Sequence, residues 1–163
     1  MIFDLKSSQM KSSNDPNHKF IIEHLKTLKG LTLGDIVINK LAIIKRCLRR
    51  INEEYTDEVS FKTDFTKQDS VILNLQRACE ASIDICNHLI KKQSLGIPQS
   101  ARDSFELVAK AGIISDENRD QLNNMVEVKN VAVHENQTLN IDIVISVIKH
   151  HLKDFEGFSK SIA

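Results

Sequence analysis

The stretch 123–140, NNMVEVKNVAVHENQTLN, places Lys129, Asn130 and His134 close together. Histidine is the side chain best suited to moving a proton near neutral pH. Lysine is a cation able to hold a phosphate or to stabilise charge developing on it. RNA can be cut without a metal when its own 2′-hydroxyl attacks the adjacent phosphorus. That reaction needs a proton acceptor, a proton donor and a cation beside the phosphoryl oxygens, and His134 with Lys129 supplies part of this set. Spacing limits the idea. Five helical steps turn a side chain by about 140°, so Lys129 and His134 converge only if the helix ends or bends before His134. The polar run Glu135–Thr138 is where such an ending is expected. The plain alternative is a helix-terminal histidine beside a solvated lysine.

Other charged groups are candidates for binding rather than chemistry. Lys45, Arg46, Arg49 and Arg50 form two i, i+4 pairs beside an apolar stripe. They would serve as a rail for an RNA backbone, or simply as the solvated flank of an amphipathic helix, which the zero net charge favours. Arg77, Glu80, Asp84 and His88 follow at i+3 and i+4 spacing. They either pair locally on one helix or line a cleft near His134. His150 and His151, with Lys149 and Lys153, are expected to be exposed. Adjacent histidines diverge by about 100° on a helix and cannot chelate one metal. No Gly-rich phosphate loop, nucleophile elbow or metal-ligand spacing is present, so no metal or cofactor is expected.

The elements that would carry these residues are helices. Five Gly and two Pro among 163 residues fall well below the roughly 12% of ordinary proteins. From Asp35 to about Tyr55, Val37, Leu41, Ile44, Leu48, Ile51 and Tyr55 recur at alternating steps of 4 and 3, one stripe of a helix. Gly34 precedes Asp35, a suitable N-cap. A second long helix is expected from about Lys67 to Ser94, with Thr66 or Asp69 near its start and Gly96 and Pro98 closing it. A shorter one fits Ser100–Lys110, stopped by Gly112. A fourth starts at Ser115 or Asp116, and a fifth runs unbroken from Asn140 to the chain end. Residues 6–19 read as a polar arm and 20–29 as a short helix. The expected fold is therefore all-α, an antiparallel bundle of about four to six helices. Its long stripes also suit a homodimer sharing one face. The domain would span 35–163, with 1–34 as an extension.

Composition narrows the setting. Lys plus Arg and Asp plus Glu both number 22, which argues against bulk capture of nucleic acid but not against a local basic patch. No apolar run approaches the ~20 residues of a membrane span, and no membrane association is expected. The start, MIFDLKSSQM, lacks the features of a secretory signal. Cys47, Cys79 and Cys86 are odd in number and widely spaced, which suits buried thiols in a reducing, cytoplasmic setting.

Four segments carry a family resemblance: DIVINKLAIIKRCLRRI (35–51), FTKQDSVILNLQRACEASIDICNHL (65–89), LGIPQSARDSFELVAKAG (95–112) and VKNVAVHENQTLNIDIVISVIKHHLKDF (128–155). In order, length and wording, 35–163 resembles the HepT toxins, a branch of the HEPN superfamily. The resemblance implies an all-α, HEPN-like domain that dimerises and cleaves RNA, tRNA or mRNA among the options, without metal. It further implies a type VII toxin–antitoxin pair, in which an MntA-like minimal nucleotidyltransferase antitoxin transfers AMP to a tyrosine and blocks the site. The family motif is Arg-x(4–6)-His with a polar residue after the Arg and a Tyr two residues after the His. His134 matches the catalytic histidine and Asn130 the polar residue.

This sequence departs from the pattern in three places. Lys129 stands at the Arg position, Asn136 at the Tyr position, and Glu127 where a small residue is expected. Lysine lacks the planar fork with which arginine grips phosphate twice. Asn136 has no phenolic oxygen to accept AMP, and the chain's single tyrosine, Tyr55, lies far from the motif in sequence. Two functional readings follow: an attenuated endoribonuclease in which Arg46, Arg49, Arg50 and Arg77 help hold substrate, or a catalytically silent module that binds RNA or the antitoxin.

Overall fold

The computed structural model describes residues 33–134 and 140–163, with side chains described for 34–132 and 140–163. The expected arm (6–19), the short helix (20–29) and Asn136 lie outside the described residues. The chain divides into Met1–Ile36 and Val37–Ala163. Of the first unit, only residues 33–36 are described, as the opening turn of a helix.

Seven α-helices and no strand are found among the described residues: α1 (Leu33–Glu54), α2 (Glu58–Thr63), α3 (Phe65–Gln93), α4 (Ala101–Lys110), α5 (Asp116–His134), α6 (Ile141–His150) and α7 (Leu152–Ile162). The all-α expectation holds. Among these helices, none is long and apolar enough to cross a membrane.

The apolar stripe of α1 buries Ile44, Leu48 and Ile51, with Val37 and Leu41 packed partly against the same core. Asp35 sits inside the first turn of α1, which begins at Leu33, rather than at the position before the helix. The 4,3 spacing sets which face is buried but not where the first turn begins.

Helix α2 has no counterpart in the periodic pattern. Six residues are too few to show a stripe, and it rests on one anchor. Phe61 is fully buried and meets Tyr55 edge-on at 5.3 Å between ring centroids. Its cap is Asp57, whose carboxylate accepts the Ser60 N–H at 2.8 Å. That bond and the Ser60 hydroxyl hold the Asp57 carboxyl below its ordinary pKa.

Helix α3 starts two residues earlier than the stripe suggests. Its N-cap is Asp64, accepting from the Lys67 N–H at 3.1 Å, rather than Thr66 or Asp69. It ends at Gln93, where Ser94 takes a left-handed conformation (φ 52°) and the Leu95 N–H returns to the Ile90 carbonyl at 3.0 Å. This closes the last turn before Gly96 is reached. Gly96 itself has φ 138°, and a Cβ there would lie 3.3 Å from Leu107 Cδ2. Both reasons favour glycine. Ser100, expected as the first residue of the next helix, is the N-cap of α4 and accepts from the Asp103 N–H at 3.1 Å.

The last helix is not continuous. His151 (φ −121°, ψ −4°) separates α6 from α7, and its Nδ1 lies 3.1 Å from the buried Asp154 carboxylate. The break leaves the spacing of Ile145, Ile148, Leu152 and Phe155 untouched, and all four are buried. Apolar periodicity is therefore blind to it. With α2, this accounts for seven helices where five were traced along 35–163.

Four fully buried phenylalanines, Phe61, Phe105, Phe155 and Phe158, sit with Ile44, Ile51 and Ile85 in one core. Each such side chain contributes roughly 1.5–3 kcal/mol relative to exposure. Polar ties fix the helices about that core. Gln68 Nε2 donates to the Phe61 carbonyl at 2.8 Å, the Ser104 hydroxyl to Asn87 Oδ1 at 2.6 Å, and Asn118 Nδ2 to the Asp154 carbonyl at 3.1 Å. They join α2 to α3, α3 to α4 and α5 to α7.

Candidate active site

Helix α5 carries the motif. Ser115 accepts the Asn118 N–H at 3.0 Å at its start. Leu122 and Met125 are buried against the core and Val126 is partly so, which fixes the rotation of the helix and hence the faces available to the next turns. Lys129 is half-buried and Asn130 exposed. The Lys129 ammonium bears on the Cys79 thiol of α3, and its field opposes the burial that pushes that thiol up to about 12. The Cys79 Sγ also lies 3.9 Å from the Met125 carbonyl, one turn before Lys129, so this part of α5 runs alongside α3.

His134 is the last residue of α5. The condition set by spacing, an ending or bend before His134, is not met, because the helix runs through to that residue. The two positions are separated by about 7.5 Å along the axis and about 140° around it. One copy of α5 does not bring positions 129 and 134 onto one face.

Glu127, which stands where a small residue is expected, has a partner. Arg102 Nη2 of α4 lies 3.0 Å from its Oε1. Nothing in the sequence pointed to Arg102, which lies 25 residues away. Beside Glu127, Val128 and Val131 of α5 and Ile143 and Val144 of α6 line a groove of about 320 Å³. Val131 and Ile143 are 46% and 48% exposed, so apolar surface borders the motif.

The basic residues of α1 part company. Lys45 and Arg49 line a groove of about 870 Å³ between α1 and α7. Arg46 and Arg50 line another, of about 640 Å³, between α1 and α3. The four do not make a single rail, because i, i+4 pairs one residue apart in register stand about 100° apart on a helix. Arg77 joins Arg46 and Arg50 in the α1–α3 groove.

The ladder on α3 does not pair with itself. Asp84 Oδ2 meets Lys40 Nζ of α1 at 2.9 Å, and Glu80 accepts from Gln76 Nε2 at 3.1 Å. At the other end of the chain Lys149, His150, His151 and Lys153 are exposed, as expected, and Lys149 reaches Glu58 at 3.5 Å. All three cysteines are free and buried. Burial pushes Cys86, like Cys79, up to about 12. It also raises Cys47, against the opposing fields of Arg77 and Arg46. Among the described residues, no three His, Cys, Asp or Glu side chains gather as a metal site.

Comparison with known proteins agrees with this architecture. Residues 42–162 match the family model described as ribonuclease HepT-like. The chain is 58% identical over 126 residues to the mRNA nuclease HepT of Shewanella oneidensis, covering 77% of this chain and 95% of that protein. A solved structure of a tri-AMPylated Shewanella oneidensis HEPN toxin in complex with an MNT antitoxin superposes with a TM-score of 0.76. Its sequence identity is 58%, over 78% of this chain and 96% of that one. A cytosolic protein of unknown function from Bacillus subtilis, YutE, shares the fold at 14% identity, with a TM-score of 0.66 over 77% of this chain and 85% of that one. A HEPN-type helical domain, the motif helix at its edge and the match along 42–162 together make this chain a member of the ribonuclease HepT-like family.

Proposed function

We propose that the chain is a HepT-type HEPN endoribonuclease that cuts RNA without a metal, the toxin half of a pair restrained by an MntA-like nucleotidyltransferase antitoxin. The observation that carries this reading is the 58% identity to an mRNA nuclease across 95% of that enzyme. Residues 35–163 form the catalytic domain and 1–34 an extension. The setting is the cytoplasm, where free thiols such as Cys47, Cys79 and Cys86 persist.

In the reaction, the 2′-oxygen loses its proton and bonds to phosphorus. The bond from phosphorus to the 5′-oxygen breaks, and that oxygen gains a proton. The products are a 2′,3′-cyclic phosphate and a 5′-hydroxyl. His134 carries one of these proton transfers, Lys129 neutralises the phosphoryl oxygens, and Asn130 positions the substrate or His134. Positions 129 and 134 diverge on one copy of α5, and exposed Val131 and Ile143 border the motif. Both facts support a homodimer in which each protomer contributes one motif to a shared cleft.

The test is RNA cleavage by purified protein in EDTA, with His134→Ala as control. Cleavage that vanishes in the variant is expected. Absence of cleavage above the variant, on both tRNA and mRNA, would overturn the enzymatic reading. A second reading, a silent module that binds RNA or the antitoxin, is favoured by one feature: Lys129, Asn136 and Glu127 all depart from the family pattern in a single segment. Growth arrest on expressing the chain alone, relieved by His134→Ala, would exclude it.

A further inference from the structure

All six arginines of the chain are among the described residues, and four of them are ion-paired. Arg49 meets Glu53 at 3.9 Å. Arg50 holds Glu53 at 2.8 Å and Glu54 at 3.2 Å. Arg102 holds Glu127 at 3.0 Å, and Arg119 holds Asp120 at 3.1 Å and Asp116 at 3.2 Å. Arg46 and Arg77 have no ion pair among the described residues. They lie on different helices, yet both line the α1–α3 groove, and the field of each reaches the same Cys47 thiol.

The register of the two helices explains the pairing of these arginines. Lys40 meets Asp84 at 2.9 Å. Two turns on along α1 lies Cys47, and two turns back along α3 lies Arg77. The helices are antiparallel, and the arginine end stands about 10 Å from the Lys40–Asp84 end. Of the carboxylates that line the same groove, Asp84 is held by Lys40 and Glu80 accepts from the Gln76 amide, and neither forms an ion pair with Arg46 or Arg77. Two guanidinium groups that face one groove without an ion pair among the described residues repel each other unless an anion lies between them. Each offers a planar fork suited to phosphate oxygens.

We propose that the α1–α3 groove is a second RNA-binding site, in which Arg46 and Arg77 clamp a backbone phosphate of single-stranded RNA away from the scissile bond. It rests on the ribonuclease reading. A volume of about 640 Å³ exceeds the needs of one phosphate and accommodates a flanking nucleotide. Ile43 and Leu73, 38% and 43% exposed in the same groove, offer a base an apolar surface. Arg77 and Cys79 are two steps apart, about 200° around α3, and Lys129 bears on Cys79. The groove is therefore on a different face of α3 from the motif lysine. Arg49 points to the α1–α7 groove and takes no part.

The full-length protein would be titrated against a fluorescent, single-stranded 2′-O-methyl RNA. Such RNA has no free 2′-hydroxyl and binds without being cut. Arg46→Gln and Arg77→Gln are each expected to weaken binding about tenfold and to lower the salt slope by about 0.7. Arg119→Gln, on α5 and outside the groove, changes binding less than about twofold. Arg46→Lys and Arg77→Lys keep part of the affinity, which separates lost charge from lost fold, and thermal melts of every variant check folding. Equal losses in all three Gln variants would overturn the site in favour of diffuse charge. Unchanged RNA binding with weakened association with the antitoxin would overturn it in favour of a protein-binding groove. If the wild type cuts RNA but the variants bind as it does, this inference falls alone. If the wild type neither cuts nor binds RNA, the ribonuclease reading falls with it.

Discussion

Arg102 of α4 and Glu127 of α5 meet at 3.0 Å, two residues before the motif lysine. The contact draws the Glu127 carboxylate toward α4 and offsets its charge. In the sequence Glu127 shows only as a charged residue where the family pattern has a small one. The structure gives that residue a partner from a helix with no place in the motif.

Removing the partner should therefore hurt activity more than stability. Both side chains are more than 60% exposed, so the pair contributes at most about 1 kcal/mol to folding. Arg102→Ala is expected to leave the melting temperature within a few degrees of wild type. Its cleavage rate at low salt should fall about two- to fivefold, as the freed Glu127 charge repels substrate. Adding Glu127→Gln should restore the rate. A double variant no faster than Arg102→Ala would show that the Glu127 charge is not felt by RNA.

Restoring the family's arginine should strengthen catalysis. Lys129→Arg replaces a point charge with a two-pronged donor, and a charged hydrogen bond regained in the transition state is worth on the order of 1–3 kcal/mol, or roughly 5- to 150-fold in rate. The gain should appear in single-turnover cleavage and as stronger growth arrest. An unchanged or lower rate would mean that the half-buried site beside Cys79 has adapted its shape to lysine.

Control by the antitoxin should change with one residue. Asn136 offers no phenolic oxygen, so an MntA-like nucleotidyltransferase with ATP should add no AMP at this position. Asn136→Tyr should become modified and lose cleavage, whereas the wild type should be inhibited, if at all, by binding alone. Intact-mass spectrometry after incubation with antitoxin and ATP reads this directly. AMP found on the wild-type segment around position 136 would contradict it.

The thiols should be silent while the protein is folded. Cys47, Cys79 and Cys86 are each no more than 3% exposed, and burial raises Cys79 and Cys86 to about 12. A thiolate is needed for reaction, so a disulfide reagent at pH 8 should label the native protein no faster than it unfolds. All three should react in denaturant. Fast labelling of one native thiol would point to Cys47, where the fields of Arg77 and Arg46 oppose the effect of burial.

Much of this architecture follows from short-range chemistry and was legible in the sequence. The alternating 4 and 3 steps of Val37 through Ile51 give the buried face of α1, and Ser100 and Gly112 bound α4, because a helix's apolar period and its caps are properties of neighbouring residues. Lys129, Asn130 and His134 stand out by type and by the family motif. Other features depend on residues distant in sequence, and only the tertiary structure decided them. Phe61 makes α2 worth forming because Tyr55 and the core receive it. The break at His151 depends on a buried Asp154, and periodicity cannot register it. The charged residues show this best. A helical wheel places Arg46 and Arg49 about 60° apart, but not what covers each side. The packing of α3 along one flank of α1 and α7 along the other sorts them into separate grooves, and α4 delivers Arg102 to Glu127 across 25 residues. Sequence fixes which faces of a helix are apolar; which charges end up facing one another depends on how those faces are packed.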